Sequence, residues 1–158
     1  MTPAESGAFA MHATARLATA ADLPGVLALY RELRPNDPEL SEPETKTALD
    51  QVLGDKSLSL VVCEQGSVLA ATCMLAVIQN LANGARPFGV IEHVVTLPAF
   101  RQQGLARRVL LHALELAWSK RCYKVMLLSG ANRTDAHRLY ESAGFEGDIE
   151  RGFVAKPS

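Results

Sequence analysis

One turn constrains this chain more than any other feature. An apolar segment, Val90-Ile91-Glu92-His93-Val94-Val95-Thr96, is closed by Leu97-Pro98, and Arg101-Gln102-Gln103-Gly104-Leu105-Ala106 then opens an apolar-striped segment that runs to Trp118. That order reads as strand, tight turn and helix. The first turn of a helix has free backbone N–H groups and the positive end of the dipole, which together favour a phosphate. Gly104 has no Cβ, so an anion can come close to the backbone, and Arg107-Arg108 adds a basic pair. The turn lacks the Gly-Lys-Ser/Thr ending of nucleotide triphosphatases and the three-glycine dinucleotide fingerprint.

The rest of the chain narrows the class. A length of 158 residues suits one domain with a sizeable core. A net charge of -1 gives no general nucleic-acid footprint. Cys63, Cys73 and Cys122 are an odd set without Cys-x-x-Cys spacing, so neither a disulfide framework nor a zinc site is expected. They read as core thiols of a protein in a reducing cytoplasm. Residues 1–12 read as a flexible tail rather than a secretory signal, with the domain spanning 13–158. No run is apolar and long enough to span a bilayer.

A strand is expected over 13–17. A helix follows with Asp22 as N-cap, Pro24 in its first turn and Pro35 at its end. Ser41-Glu42-Pro43-Glu44 has the form of a capping box, and Gly54 is a natural stop. Leu58 to Cys63 and Val68 to Ile78 read as a hairpin, followed by a strand from Phe88 to Thr96. The helix after Gly104 carries a polar stripe at Arg108, His112, Glu115 and Ser119, so its other side packs on a sheet. Trp118 reads as a core residue. A strand from Tyr123 to Leu128, a helix from Thr134 to Ala143 and a final strand with Phe153 and Val154 complete the order. The expectation is a mixed α/β (α+β) fold: one mostly antiparallel, twisted sheet with helices on both faces and one crossover helix.

Arg101, Gly104 and Ala106 match Arg/Gln-x-x-Gly-x-Gly/Ala, the signature of the GNAT superfamily of N-acetyltransferases. Leu139-Tyr140-Glu141-Ser142-Ala143-Gly144-Phe145 resembles its second hallmark, Leu-Tyr-x-x-x-Gly-Phe. The resemblance covers roughly Ala13 to Val154, in element order as well as in motifs. Ile91-Glu92-His93-Val94-Val95 with Cys122-Tyr123-Lys124-Val125 is similar to the glucosamine-phosphate acetyltransferase branch. Asp135-Ala136-His137-Arg138-Leu139-Tyr140 is similar to aminoalkylphosphonate acetyltransferases. The resemblance therefore assigns no single acceptor.

The resemblance implies an enzyme that uses acetyl-CoA as co-substrate. Backbone amides of Gln102, Gln103, Gly104, Leu105, Ala106 and Arg107, beside Arg101, would hold its pyrophosphate. Backbone groups at Val94, Val95 and Thr96, where this strand splays from the next, would pair with the pantetheine arm. Many relatives carry a cofactor-contacting Asn seven residues before the tyrosine. That position is Arg133 here, and Asn132, one residue earlier, is either a cofactor contact or a helix cap.

Transfer to an amine needs the neutral amine, and a lysine-like group with a pKa of about 10.4 gives up roughly 4–5 kcal/mol to be neutral at pH 7. Glu92 is placed on one strand face with Val94 and Thr96, and His93 on the other. Glu92 is either a general base or a contact to substrate ammonium or structure. His93 reads as a core or interface histidine. Tyr140 is either the acid that protonates the departing thiolate or a core tyrosine. Asp37 and Glu39, with Asn36, lie between the first two helices, where relatives build the acceptor pocket. The expected acceptor is a small-molecule amine; a peptide amine and a non-catalytic acetyl-CoA-binding module are the alternatives. No metal, nucleic acid or membrane partner is expected, and a homodimer is.

Overall fold

The computed structural model describes residues 13–158; the expected tail, residues 1–12, lies outside the described residues. Five strands form one sheet in the order β1-β2-β3-β4-β5: β1 Thr14–Leu17, β2 Leu58–Gln65, β3 Val68–Ile78, β4 Phe88–Thr96 and β5 Val125–Leu127. The first three pairings are antiparallel, and only β4–β5 is parallel. A parallel neighbour requires a crossover, and α4 (Leu105–Ser119) supplies it. The other helices are α1 (Leu23–Leu33), α2 (Glu42–Gly54), the single turn α3 (Ala82–Ala85) and α5 (Thr134–Ser142). Among the described residues, no helix is long and apolar enough to cross a membrane.

Local chemistry sets the helix ends. The Ser41 Oγ accepts from the Glu44 N–H while the Glu44 carboxylate accepts from the Ser41 N–H at 2.9 Å, closing the capping box. Asp22 occupies the N-cap position of α1, but its carboxylate is turned back to Arg16 and the Thr19 N–H instead of the helix amides.

The sheet is covered on both faces. Val109, Leu110, Ala113 and Ala117 of α4 bury against Val61, Cys73, Leu75 and Ile91. On the other face Val26 of α1 and Leu49 of α2 bury with Leu60 and Val62. Trp118 is a correction: it is 50% exposed. It follows Ala117, the last buried residue of the α4 stripe, and one helical step of 100° turns it away from the sheet.

The expected final strand does not form. Residues 149–158 have no regular structure, and Phe153 and Val154 are exposed. The segment approaches β5 through a close contact of Gly152 with the Leu128 side chain. β5 itself is three residues long and ladders only with β4. Side-chain contact against so short an edge does not impose the backbone register of a strand.

A β-bulge corrects the expected faces of β4. Met74 pairs with Glu92 and Thr72 with Val95, so Cys73 alone opposes both His93 and Val94. His93 absorbs the extra residue at φ 55. Beyond a bulge the alternation shifts by one. Glu92 pairs with Met74, which packs on the α1/α2 face, whereas Val94 packs in the α4-side core and Thr96 pairs with Ala71 of that core. Glu92 therefore does not share a face with Val94 and Thr96.

Candidate active site

β4 and β5 pair only from Gly89–Val125 to Ile91–Leu127. Past that point β5 ends, and the two chains part. A cleft of about 200 Å³ opens between them. Glu92, His93 and Val94 line it from β4, Arg34 from the end of α1, Gly130 and Arg133 from the loop before α5, and Tyr140 from α5.

Tyr140 is half-buried among residues of the α4-side core, its ring 6.2 Å from that of Phe145 and nearly edge-on. Burial pushes its phenol above the ordinary tyrosine value, while the charge of Arg133 pulls it back down. Glu92 is exposed at the mouth of the cleft. The His93 ring sits against Tyr30 of α1, and burial pushes the Tyr30 phenol up to about 12.

The glycine turn lies at the far end of β4. Gly104 is the N-cap of α4 with φ 77, and Gln102 has φ 60. The first helical bond runs from the Arg108 N–H to the Gly104 carbonyl at 3.1 Å, so the amides ahead of Arg108 have no intrahelical acceptor. A Cβ added at Gly104 would meet no protein atom within 4 Å, so the glycine answers to its backbone angle and to the space in front of it. Arg101 is tied to the Thr96 carbonyl at 3.4 Å and to Glu32 of α1 at 3.0 Å. The Arg107 guanidinium bonds the Ser142 carbonyl at 3.1 Å, joining the start of α4 to the end of α5.

Two observations fit an extended, phosphate-bearing ligand running from the turn to the cleft. The turn offers several converging amides to an anion. Among the described residues, Thr96 Oγ1, at the end of β4 and five residues past its last pair with β5, is buried with no hydrogen-bond partner, a costly state that a ligand amide would relieve.

The other expected residues fall outside this arrangement or at its margin. Val95 is buried opposite Thr72, so only its backbone faces the opening of the sheet. Asn132 is exposed one residue ahead of Arg133, which holds the N-cap position of α5 without a side-chain cap bond; Asn132 is therefore not the helix cap. Asp37 is engaged with Arg34 at 2.8 Å, and Asn36 and Glu39 are exposed. The three cysteines are buried. Burial holds the Cys73 thiol up at about 12, and it donates to the Val109 carbonyl at 3.4 Å. Sequence reasoning missed Arg34 in the cleft, since nothing in Leu33-Arg34-Pro35 distinguishes a cleft arginine from a solvated one.

The family model described as Acetyltransferase (GNAT) family matches residues 25–145. A glucosamine 6-phosphate N-acetyltransferase of Trypanosoma brucei brucei is 30% identical over 109 residues, 68% of this chain and 72% of that protein. A solved chain from Agrobacterium tumefaciens str. C58, named as an inferred acetyltransferase, is 40% identical with a TM-score of 0.86, covering 91% of this chain and 99% of that one. The aminoglycoside acetyltransferase AAC(6')-Iy, solved with a CoA-bearing bisubstrate analogue, shares the fold at 19% identity and a TM-score of 0.77, over 93% and 99% of the two chains. The glycine turn, the parted strands and the Tyr140 helix thus occur together in a chain that belongs to the GNAT acetyltransferase family, an enzyme that takes its acetyl group from acetyl-CoA.

Proposed function

We propose that the enzyme acetylates the primary amine of a small molecule by direct attack, without an acyl-enzyme. The observation that carries this reading is the meeting of Glu92 and Tyr140 at one small cleft, while Cys63, Cys73 and Cys122 are buried. A thiol held at about 12 is a poor nucleophile near neutral pH.

Acetyl-CoA supplies an activated thioester when bound. The amides from Gln102 to Arg107 hold its pyrophosphate, and β4 backbone at Val94 to Thr96 takes its pantetheine arm as an added strand. Glu92 orients the acceptor ammonium and takes its proton, directly or through water. The amine nitrogen then bonds the acetyl carbon as the carbon–sulfur bond breaks and releases its second proton to water, and Tyr140 gives its phenolic proton to the departing sulfur. The phenolate is reprotonated from solvent.

The 30%-identical relative named as a glucosamine 6-phosphate N-acetyltransferase supports a compact acceptor over a peptide. The test is a panel of amines, including glucosamine 6-phosphate, an aminoglycoside and a peptide, read by release of free CoA thiol. Turnover of a small amine, with no acetylated enzyme by intact mass, is expected. Turnover of the peptide alone, or an acetylated cysteine, overturns the reading.

We also propose a cytoplasmic homodimer. β5 is an edge strand among the described residues, and the segment beside it exposes Ile149, Phe153 and Val154. A second copy can cover both the open edge and these side chains. A monomer by light scattering at micromolar concentration overturns this.

A further inference from the structure

We propose that Arg133 is a positioning residue for the proton donor: its guanidinium lines the same cleft as Tyr140 and stabilises the phenolate left when Tyr140 protonates the departing thiolate. The inference rests on Tyr140 being that donor.

Position comes first. Arg133 stands at the N-cap of α5 and Tyr140 lies seven residues on, two helical turns along nearly the same face. Both line the cleft between β4 and β5. The arginine stem passes close over Gly130, where an added Cβ would lie 3.3 Å from the Arg133 Cγ and Cδ. Among the described residues Arg133 is in no ion pair, so no carboxylate neutralises it. Arg34, across the cleft, is engaged with Asp37.

The charges around the phenol make the need plain. Burial raises its pKa, and three further groups act in the same direction: Asp135 on α5, Cys73 on β3 and Glu92 on β4. Among the described residues Arg133 is the cation that acts against them. Glu92 is also the group placed to receive the acceptor's proton, so the base weakens the acid across one small cleft. A fixed positive charge offsets that penalty, and arginine stays charged at every working pH.

The test uses Arg133→Gln, Arg133→Lys and Tyr140→Phe. Two readouts are followed: kcat against pH, and the ionisation of ring-labelled tyrosines by NMR, with the Tyr140 signal assigned from its absence in Tyr140→Phe. Arg133→Gln is expected to move the Tyr140 titration and the alkaline limb of kcat upward together. It should lower kcat roughly tenfold at little change in the KM for acetyl-CoA. Arg133→Lys should restore most of both. An unchanged Tyr140 titration in Arg133→Gln overturns the proposal. So does a rise in the acetyl-CoA KM alone, which would make Arg133 a cofactor contact. If Tyr140→Phe retains full turnover with chemistry limiting, the donor assignment fails first, and the proposal with it.

Discussion

The His93 ring lies 5.4 Å from the Tyr30 ring, centroid to centroid, tilted by 58°. The contact joins the bulge of β4 to α1 and holds a non-glycine residue at φ 55. His93→Gly relieves the backbone and loses the ring, whereas His93→Val loses the ring and forces a β-branched residue into the left-handed region. We expect His93→Val to unfold about 1–3 kcal/mol more easily than His93→Gly in denaturant melts. Equal stabilities would mean that the bulge costs nothing to hold.

Gly104 combines φ 77 with empty space where a Cβ would point. In Gly104→Val the backbone strain is about 1–2 kcal/mol, which a folded domain survives. The new side chain stands where the pyrophosphate would meet the amides. Titration calorimetry should show acetyl-CoA affinity falling at least about tenfold, a loss of roughly 1.4 kcal/mol. A folded Gly104→Val protein with wild-type affinity would place the phosphate site elsewhere.

Tyr140→Phe keeps the ring and its packing on Phe145. Acetyl-CoA binding should be retained while kcat falls by roughly 10²–10⁴-fold, the usual reach of acid–base catalysis. Glu92→Gln should slow a high-pKa amine more than a low-pKa one, because only the former has a large deprotonation cost at neutral pH. The measurement is kcat against pH for both variants and two amines. An equal effect of Glu92→Gln on both amines would leave Glu92 as a contact and not a base.

Acid stability should report on Asp22. Hydrogen bonding to Arg16 lowers its carboxyl from 3.8 to about 2. A depressed folded-state value means the stabilisation is complete above the unfolded value and is lost as pH falls from 3.8 through about 2. Arg16 is partly exposed, so solvent screens the pair, and Asp22→Asn should cost no more than about 1 kcal/mol at neutral pH. Melts from pH 7 downward should show the two proteins converging at the acid end. A gap that persists there would assign the loss to the Thr19 hydrogen bond rather than to charge.

The element order was legible in the sequence wherever a local rule set it. Ser41 and Glu44 close their box from residues three apart, and Gly104 starts α4 because its own backbone angle demands it. The polar stripe of α4 foretold which side meets the sheet. The faces of β4 were not legible: period-two alternation holds only while the pairing is regular, and the extra residue at His93 is defined by its partner Cys73 on another strand. Trp118 and the chain's end misled for a similar reason, since apolar character states what can be buried and not whether a surface exists to bury it. The site itself divides the same way. The sequence alone marked the glycine turn, Glu92 and Tyr140, because each sits in a short local pattern. Only the tertiary structure decided that Glu92, Arg34, Arg133 and Tyr140 share one cleft. Helical spacing brings Arg133 and Tyr140 together, but their nearness to Glu92 and Arg34 depends on where β5 stops and how two helices lie across the sheet, and no local spacing encodes that.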